Sequence, residues 1–242
     1  MGTHSFYNWA ALDRKTIARH FMRIFPMFEG RDLSIDKAHS YFAYNLKKLA
    51  PVKVTRNYDP TVGTGHMFVG GCYYSYHDID NERCIEISFF YNNPKDKISM
   101  SNHALRKLSY YVADTLLHEI IHMRQYRRRA FKPLPDYNSK ADKTEIRKEQ
   151  AYLGCSDEID AYSFNIACEL MAKFRGNKNK VIQYLNKPLK NHSFKNSWRI
   201  YLKAFEYQHN HPIIRKVKKK VVYYLPAAEL GKPYKTNDWI NW

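Results

Sequence analysis

The 242-residue chain is poor in several things that would have given it an easy classification. It has four cysteines, Cys72, Cys84, Cys155 and Cys168, and no C-x-x-C pair. Neither a zinc ribbon nor a disulfide framework is encoded, and free thiols in a reducing compartment are expected. Nine glycines and ten prolines exclude collagen-like and low-complexity classes. The longest apolar stretches, such as Val221–Leu225, fall far short of the about 20 residues that a membrane span needs. No basic segment followed by an apolar one opens the chain, so a soluble, cytoplasmic protein without membrane contact is expected. Gly63-Thr64-Gly65 and Gly70-Gly71 lack a following Gly-Lys-Ser/Thr, which makes them turn or bulge signals rather than a phosphate loop. Acidic residues are also scarce: 23 against 40 Lys and Arg, a net charge of +17.

The remaining composition is that of a folded chain, 44% hydrophobic and 26% charged. Apolar residues at helical spacing (Leu12, Ile17, Phe21, Ile24) predict a helix over Ala10–Phe25, stopped by Pro26. A second helix is predicted after Ser34, with Ile35, Ala38, Phe42, Leu46 and Leu49 on one face. The period then changes. Val52–Tyr58, His66–Tyr76 and Arg83–Tyr91 are rich in β-branched and aromatic residues and are separated by Asp59-Pro60, Gly63-Thr64-Gly65 and Asp80-Asn81. They predict three strands of a small, largely antiparallel sheet. A long helix capped by Ser101 or Asn102 follows, to about Arg128, with Arg127, Arg128 and Arg129 complementing its macrodipole. A polar stretch with Pro133 and Pro135 reads as a partly ordered surface excursion to about Glu149. Helix is predicted again from Ser156 to Phe174, ended by Gly176. Two or three basic helices over Asn179–Leu225 and an extended tail complete an α+β architecture.

The long helix contains His118-Glu119-Ile120-Ile121-His122. Histidines at i and i+4 share a helix face, so both imidazoles can reach one metal ion without backbone strain. Glu119, swung about 100° around the axis, can act as a base on nearby water instead of ligating. Chance predicts about 0.02 such pentapeptides in a chain of this composition. Leu116, Leu117, Ile120, Ile121 and Met123 surround the motif with apolar groups, unlike a solvated surface helix. A catalytic zinc takes three protein ligands, and the third should lie downstream on another element. Glu158 is the best candidate, in the first turn of the next helix with small Ala161 one turn along; Asp157, His192, His209 and His211 are weaker ones. Glu169 shares the face of Glu158 but lies roughly 16 Å further along the helix.

His118–His122 followed by Glu158-Ile159-Asp160-Ala161 resembles the zincin-type metallopeptidases of the gluzincin group, where HExxH is followed on a later helix by a glutamate in an ExxA setting. The short single-domain forms, including the ImmA-like kind with an E-x-E-A-x-x-F pattern, resemble it best; here that pattern reads Glu158, Asp160, Ala161 and Phe164. The resemblance implies a zincin-like domain over residues 1–175 and one zinc ion held by His118, His122 and Glu158. It also implies Glu119 as general base, a protein or peptide substrate, and an edge strand that binds it in extended form; Arg83–Tyr91 is the natural candidate for that strand, its alternative being an interior strand. Many gluzincins carry a carboxylate one turn after the third ligand. Here that position is Tyr162, so support for a zinc histidine must come from elsewhere; Asp114, one turn before His118, is either that support or a solvated helix carboxylate.

The charge excess is concentrated at the end. From Met171 to Trp242 there are 16 Lys and Arg against three acids, which marks residues 176–242 as a basic helical extension. Arg215, Lys216, Lys218, Lys219 and Lys220, followed by Val221-Val222-Tyr223-Tyr224, are the candidate contacts for a nucleic acid or an acidic protein surface. The rival to a peptidase is a nucleic-acid-associated or virion structural protein that keeps a zincin-like shape, and the Tyr, Asn and Lys content fits a phage or other AT-rich genome.

Overall fold

A computed structural model describes residues 8–23, 30–75, 83–132, 134, 144–187 and 196–233. The stop at Pro26, the turn at Asp80-Asn81, Pro133 and Pro135, His192 and the tail to Trp242 lie outside the described residues. The chain is a mixture of helix and sheet that divides into two compact units, Met1–Arg124 and Gln125–Trp242. The division falls within the long helix, between Arg124 and Gln125. Among the described residues no helix is long and apolar enough to cross a membrane.

In the first unit, a single 3-10 turn at Trp9–Ala11 precedes helix α1 (Arg14–Met22). The Asp13 carboxylate accepts the Thr16 backbone N–H at 2.9 Å and starts α1. Helix α2 (Ile35–Leu49) starts the same way from the Ser34 hydroxyl. Strands β2 (Lys53–Tyr58), β3 (Phe68–Tyr74) and β4 (Cys84–Tyr91) form one sheet in the order β2-β4-β3. β3 is antiparallel to β4, but β2 is parallel to it, so the sheet is mixed and not largely antiparallel. The Arg83–Tyr91 strand is therefore central. Its unbroken buried run Ile85–Phe89 is what a strand flanked on both edges requires, and β2 and β3 are the outer strands. One sheet face is covered by aromatic packing that runs from α1 through α2 to β4, with Phe21 and Phe42 rings 5.4 Å apart and Phe42 and Phe89 rings 5.7 Å apart. Two three-residue strands, β1 (Asp32–Ser34) and β5 (Lys97–Ser99), pair antiparallel; they are too short to leave a periodic signal. Helix α3 (Asn102–Arg128) begins where Ser101 accepts the Ala104 N–H at 3.2 Å, and its last turn belongs to the second unit.

The second unit is helical. Helix α4 (Glu145–Gly154) takes up part of the stretch read above as a polar excursion; Thr144 caps it through the Arg147 N–H. Helix α5 (Ser156–Lys173) is apolar nearly all round and lies at the centre, with Ile159, Ala161, Phe164, Ile166, Ala167 and Leu170 buried. Helices α6 (Lys178–Asn186), α7 (Ser197–Ala204) and α8 (Pro212–Leu230) follow. α8 buries Ile214, Val217, Val221, Tyr224 and Leu225, an i, i+3, i+7 stripe, and Tyr224 meets Phe164 of α5 edge-on at 5.7 Å. Among the described residues no disulfide joins the four cysteines; Cys155 and Cys168 are buried and Cys72 is exposed.

Away from the packed face, Glu86 of β4 sits among donors from β2 and from its own strand: Thr55 Oγ1 at 2.9 Å and Lys53 Nζ at 3.1 Å on β2, and Ser88 Oγ at 3.1 Å on β4. Burial pushes its carboxyl up, but the hydrogen bonds from Lys53, Thr55 and Ser88 outweigh burial and hold it below the ordinary value. A carboxyl lowered on folding contributes stability that is complete above its unfolded value of about 4.3 and is lost as the pH falls through the folded value. Glu86→Gln is expected to cost about 1–2 kcal/mol at neutral pH. Denaturant unfolding should also show it losing less stability than the parent on acidification through the carboxyl range. Parallel pH curves for the two proteins would contradict this.

Candidate metal centre

From Val112 to Gln125, α3 is buried on almost every side: Val112, Ala113, Leu116, Leu117, Ile120, Ile121 and Met123 all lie in the interior. Asp114, His118, Glu119, Arg124 and Gln125 are buried with them. Polar groups removed from water are costly unless they are compensated, so this helix carries an unusual polar load for its environment. His118 and His122 stand one turn apart with ring centroids at 4.7 Å and planes at 77°. Their Nε2 atoms are 3.0 Å apart. Glu119, between them in sequence, is 4% exposed and turns toward β3.

Glu158 lies in the first turn of α5, where a helix N-terminus favours negative charge, and is 7% exposed. His118, His122 and Glu158 each offer one ligand atom, and the three atoms lie within 4.8 Å of one another. Two nitrogens bound to one zinc ion at about 2.0–2.1 Å in tetrahedral geometry stand about 3.3 Å apart. The observed Nε2 separation is close to that. Two imidazole nitrogens this near can share one proton or direct both lone pairs at one cation, and a neighbouring carboxylate favours the cation. The donor set of two imidazoles and one carboxylate, with Glu119 adjacent, thus fits a divalent zinc ion.

The polar anchors of α5 are on α3 itself and on the turn that follows it. Gln125, on the His122 face one turn later, donates to the Asp157 carbonyl at 3.1 Å and to Asp160 Oδ2 at 3.3 Å. Arg129 makes a two-pronged pair with the Asp157 carboxylate at 2.8 and 2.7 Å. Asp160 Oδ1 also accepts from Lys220 Nζ at 2.7 Å and the Tyr224 hydroxyl at 2.9 Å. Glu158 is therefore bracketed by two anchored aspartates, and α3 is an unbroken helix from the histidines to Gln125. Sequence reading missed Gln125, Arg129 and Tyr224 in this role. Gln125 had a signal, being at i+3 from His122; Arg129 looked like one more cation at a helix end.

The other candidates lie elsewhere, several of them in bonds of their own. Both Asp114 oxygens receive the Arg14 guanidinium, at 2.5 and 2.8 Å, and that guanidinium lies over the Tyr110 ring. Tyr162 packs edge-on against Tyr201 at 5.7 Å. Burial, with Glu158 and Tyr162 nearby, pushes the Tyr201 phenol far above its ordinary value, and its hydroxyl donates to the Leu153 carbonyl at 3.0 Å. Glu169 caps α7 through Ser197 N and Oγ at 2.9 and 2.7 Å. His211 Nδ1 accepts the Ile213 N–H at the start of α8, and His209 lies beside Trp198. In the basic run, Lys220 is tied to Asp160, and Lys218 is half-buried with its pKa lowered by that burial. Arg215, Lys216 and Lys219 are exposed.

The chain matches no model of a known protein family, no curated protein and no solved structure.

Because Arg129 fixes Asp157 beside Glu158, Arg129→Ala is expected to weaken zinc binding about tenfold while keeping the helical circular dichroism. Competition with a chromophoric chelator measures this, and unchanged affinity would show that the bracket does not act on the ligand.

Proposed function

We propose that the chain is a zinc-dependent metalloendopeptidase with a zincin-like domain. The observation that carries this reading is the convergence of His118, His122 and Glu158 ligand atoms within 4.8 Å, with the carboxylate of Glu119 buried next to the first histidine. Zinc held by those three residues would supply a Lewis acid that polarises a peptide carbonyl and lowers the pKa of water toward about 7. Glu119 takes a proton from the attacking water, whose oxygen adds to the carbonyl carbon. As the C–N bond breaks, Glu119 returns that proton to the departing amine nitrogen. Outer strand β3, whose Gly71 faces Glu119, offers backbone groups to an extended peptide by strand addition, the role that central β4 has no free edge to play. The low-dielectric surround made by Leu116, Leu117, Ile120 and Ile121 strengthens each electrostatic interaction at the site.

Purified protein should contain about one zinc per chain, lost in His118→Ala. Glu119→Gln should keep the metal while peptide cleavage falls by about 10²–10⁴-fold. Full cleavage by Glu119→Gln would rule out this base.

A second reading, binding of nucleic acid, is favoured by one observation: Arg215, Lys216, Lys219 and Tyr223 stand exposed within one arc of α8. Replacing the three cations with alanine should flatten the log-affinity against log-salt slope for duplex DNA by about 2–3. No retention of the parent on DNA at low salt would remove this reading.

A further inference from the structure

A strand, as well as the helix that carries it, crowds Glu119. Gly71 is the fourth residue of β3 and faces α3. A Cβ placed on it would stand 2.7 Å from Thr115 Cγ2, 2.8 Å from Glu119 Cγ and 2.8 Å from Glu119 Oε1. Carbon contacts in packed interiors settle near about 3.5–4.0 Å, so no side chain fits there without displacing something. Backbone conformation does not call for glycine, because Gly71 is not among the residues with positive φ. Strand propensity argues against it, since glycine inside a strand is destabilising relative to alanine. What remains is the need for space.

We propose that Gly71 is a positioning residue for Glu119: by lacking a side chain it lets β3 close on the carboxylate and hold it in one orientation beside His118. This inference rests on the reading of Glu119 as the base. Glutamate has three rotatable side-chain bonds, and a base that wanders by about 1 Å can lose about 10²-fold in rate. α3 supplies one wall for this side chain and the backbone of β3 the other. Neighbouring Gly70 is a natural control. Its Cβ would meet Phe90 Cε2 at 2.9 Å, on the opposite sheet face, where the contact is the far end of a ring.

The test uses the full-length protein. Zinc-loaded Gly71→Ala is expected to keep its metal and its KM within about twofold while kcat falls about hundredfold; a raised KM with unchanged kcat would overturn the inference. Adding Thr115→Ser to Gly71→Ala removes the methyl overlap but leaves the overlap with the carboxylate, so kcat should stay low. Recovery to the parent rate would overturn the inference by assigning the defect to strand packing against Thr115. Metal-free crystal structures give a readout independent of cleavage: the Glu119 carboxylate should shift by about 1 Å in Gly71→Ala and stay in place in Gly70→Ala. An unmoved carboxylate in Gly71→Ala overturns the inference. If the parent cleaves no peptide yet Gly71→Ala displaces the carboxylate, the steric role of Gly71 stands and the hydrolase reading falls.

Discussion

Two imidazole nitrogens 3.0 Å apart on a buried helix set the terms for the rest of this structure. A helix with apolar neighbours on nearly every side would normally carry few polar or charged groups, yet α3 buries Asp114, His118, Glu119, Arg124 and Gln125 over less than four turns. Each must be compensated or the helix would not remain buried. Arg14 compensates Asp114, and α5 supplies acceptors for Gln125. His118, His122 and Glu158 each bring one ligand atom within 4.8 Å of the others, a group that could hold a metal ion. Glu119 packs closely against the Gly71 backbone of β3.

The same economy governs the basic end of the chain. Five cations between Arg215 and Lys220 look equivalent as a run, but the helix sorts them by angle. Lys220, although exposed, pairs with Asp160 and joins Tyr224 and Gln125 around one carboxylate. Lys218 is half-buried, and Arg215, Lys216 and Lys219 are exposed. Part of the positive charge thus serves to anchor α5, and with it Glu158, not to meet a partner. Asp160, read as one letter of a motif, turns out to be the point where α3, α5 and α8 are tied together within the second unit.

Much of the secondary structure was readable from residue order. Ser34 and Ser101 announce α2 and α3, and the alternation of strand and turn residues announces β2, β3 and β4, because capping and periodicity are local properties. Helix α4 was partly hidden by the prolines before it, although Thr144 marks its start. Strands β1 and β5 were invisible, since three residues carry no period. The order of the sheet was not readable either. Parallel pairing of β2 with β4 joins residues more than thirty positions apart, as in Lys53 with Glu86, and nothing local distinguishes a central strand from an edge beyond its uniform burial.

The spacing of His118, Glu119 and His122 requires no fold to be understood. Once that segment is helical, 3.6 residues per turn put both rings on one side and the carboxylate on another. Glu158 could be nominated from its place at the start of a later helix, but the bonds that anchor that helix, from Gln125 and Arg129 to Asp157 and Asp160, are encoded by no spacing. Gly71 shows the same limit more sharply. In the linear chain it is half of a Gly-Gly pair that suggests a bulge; in the folded protein it is a place where a strand comes close to Glu119. Intervals along a helix are set by covalent geometry, whereas the approach of a strand to a helix is set by the volumes of side chains that meet only after folding.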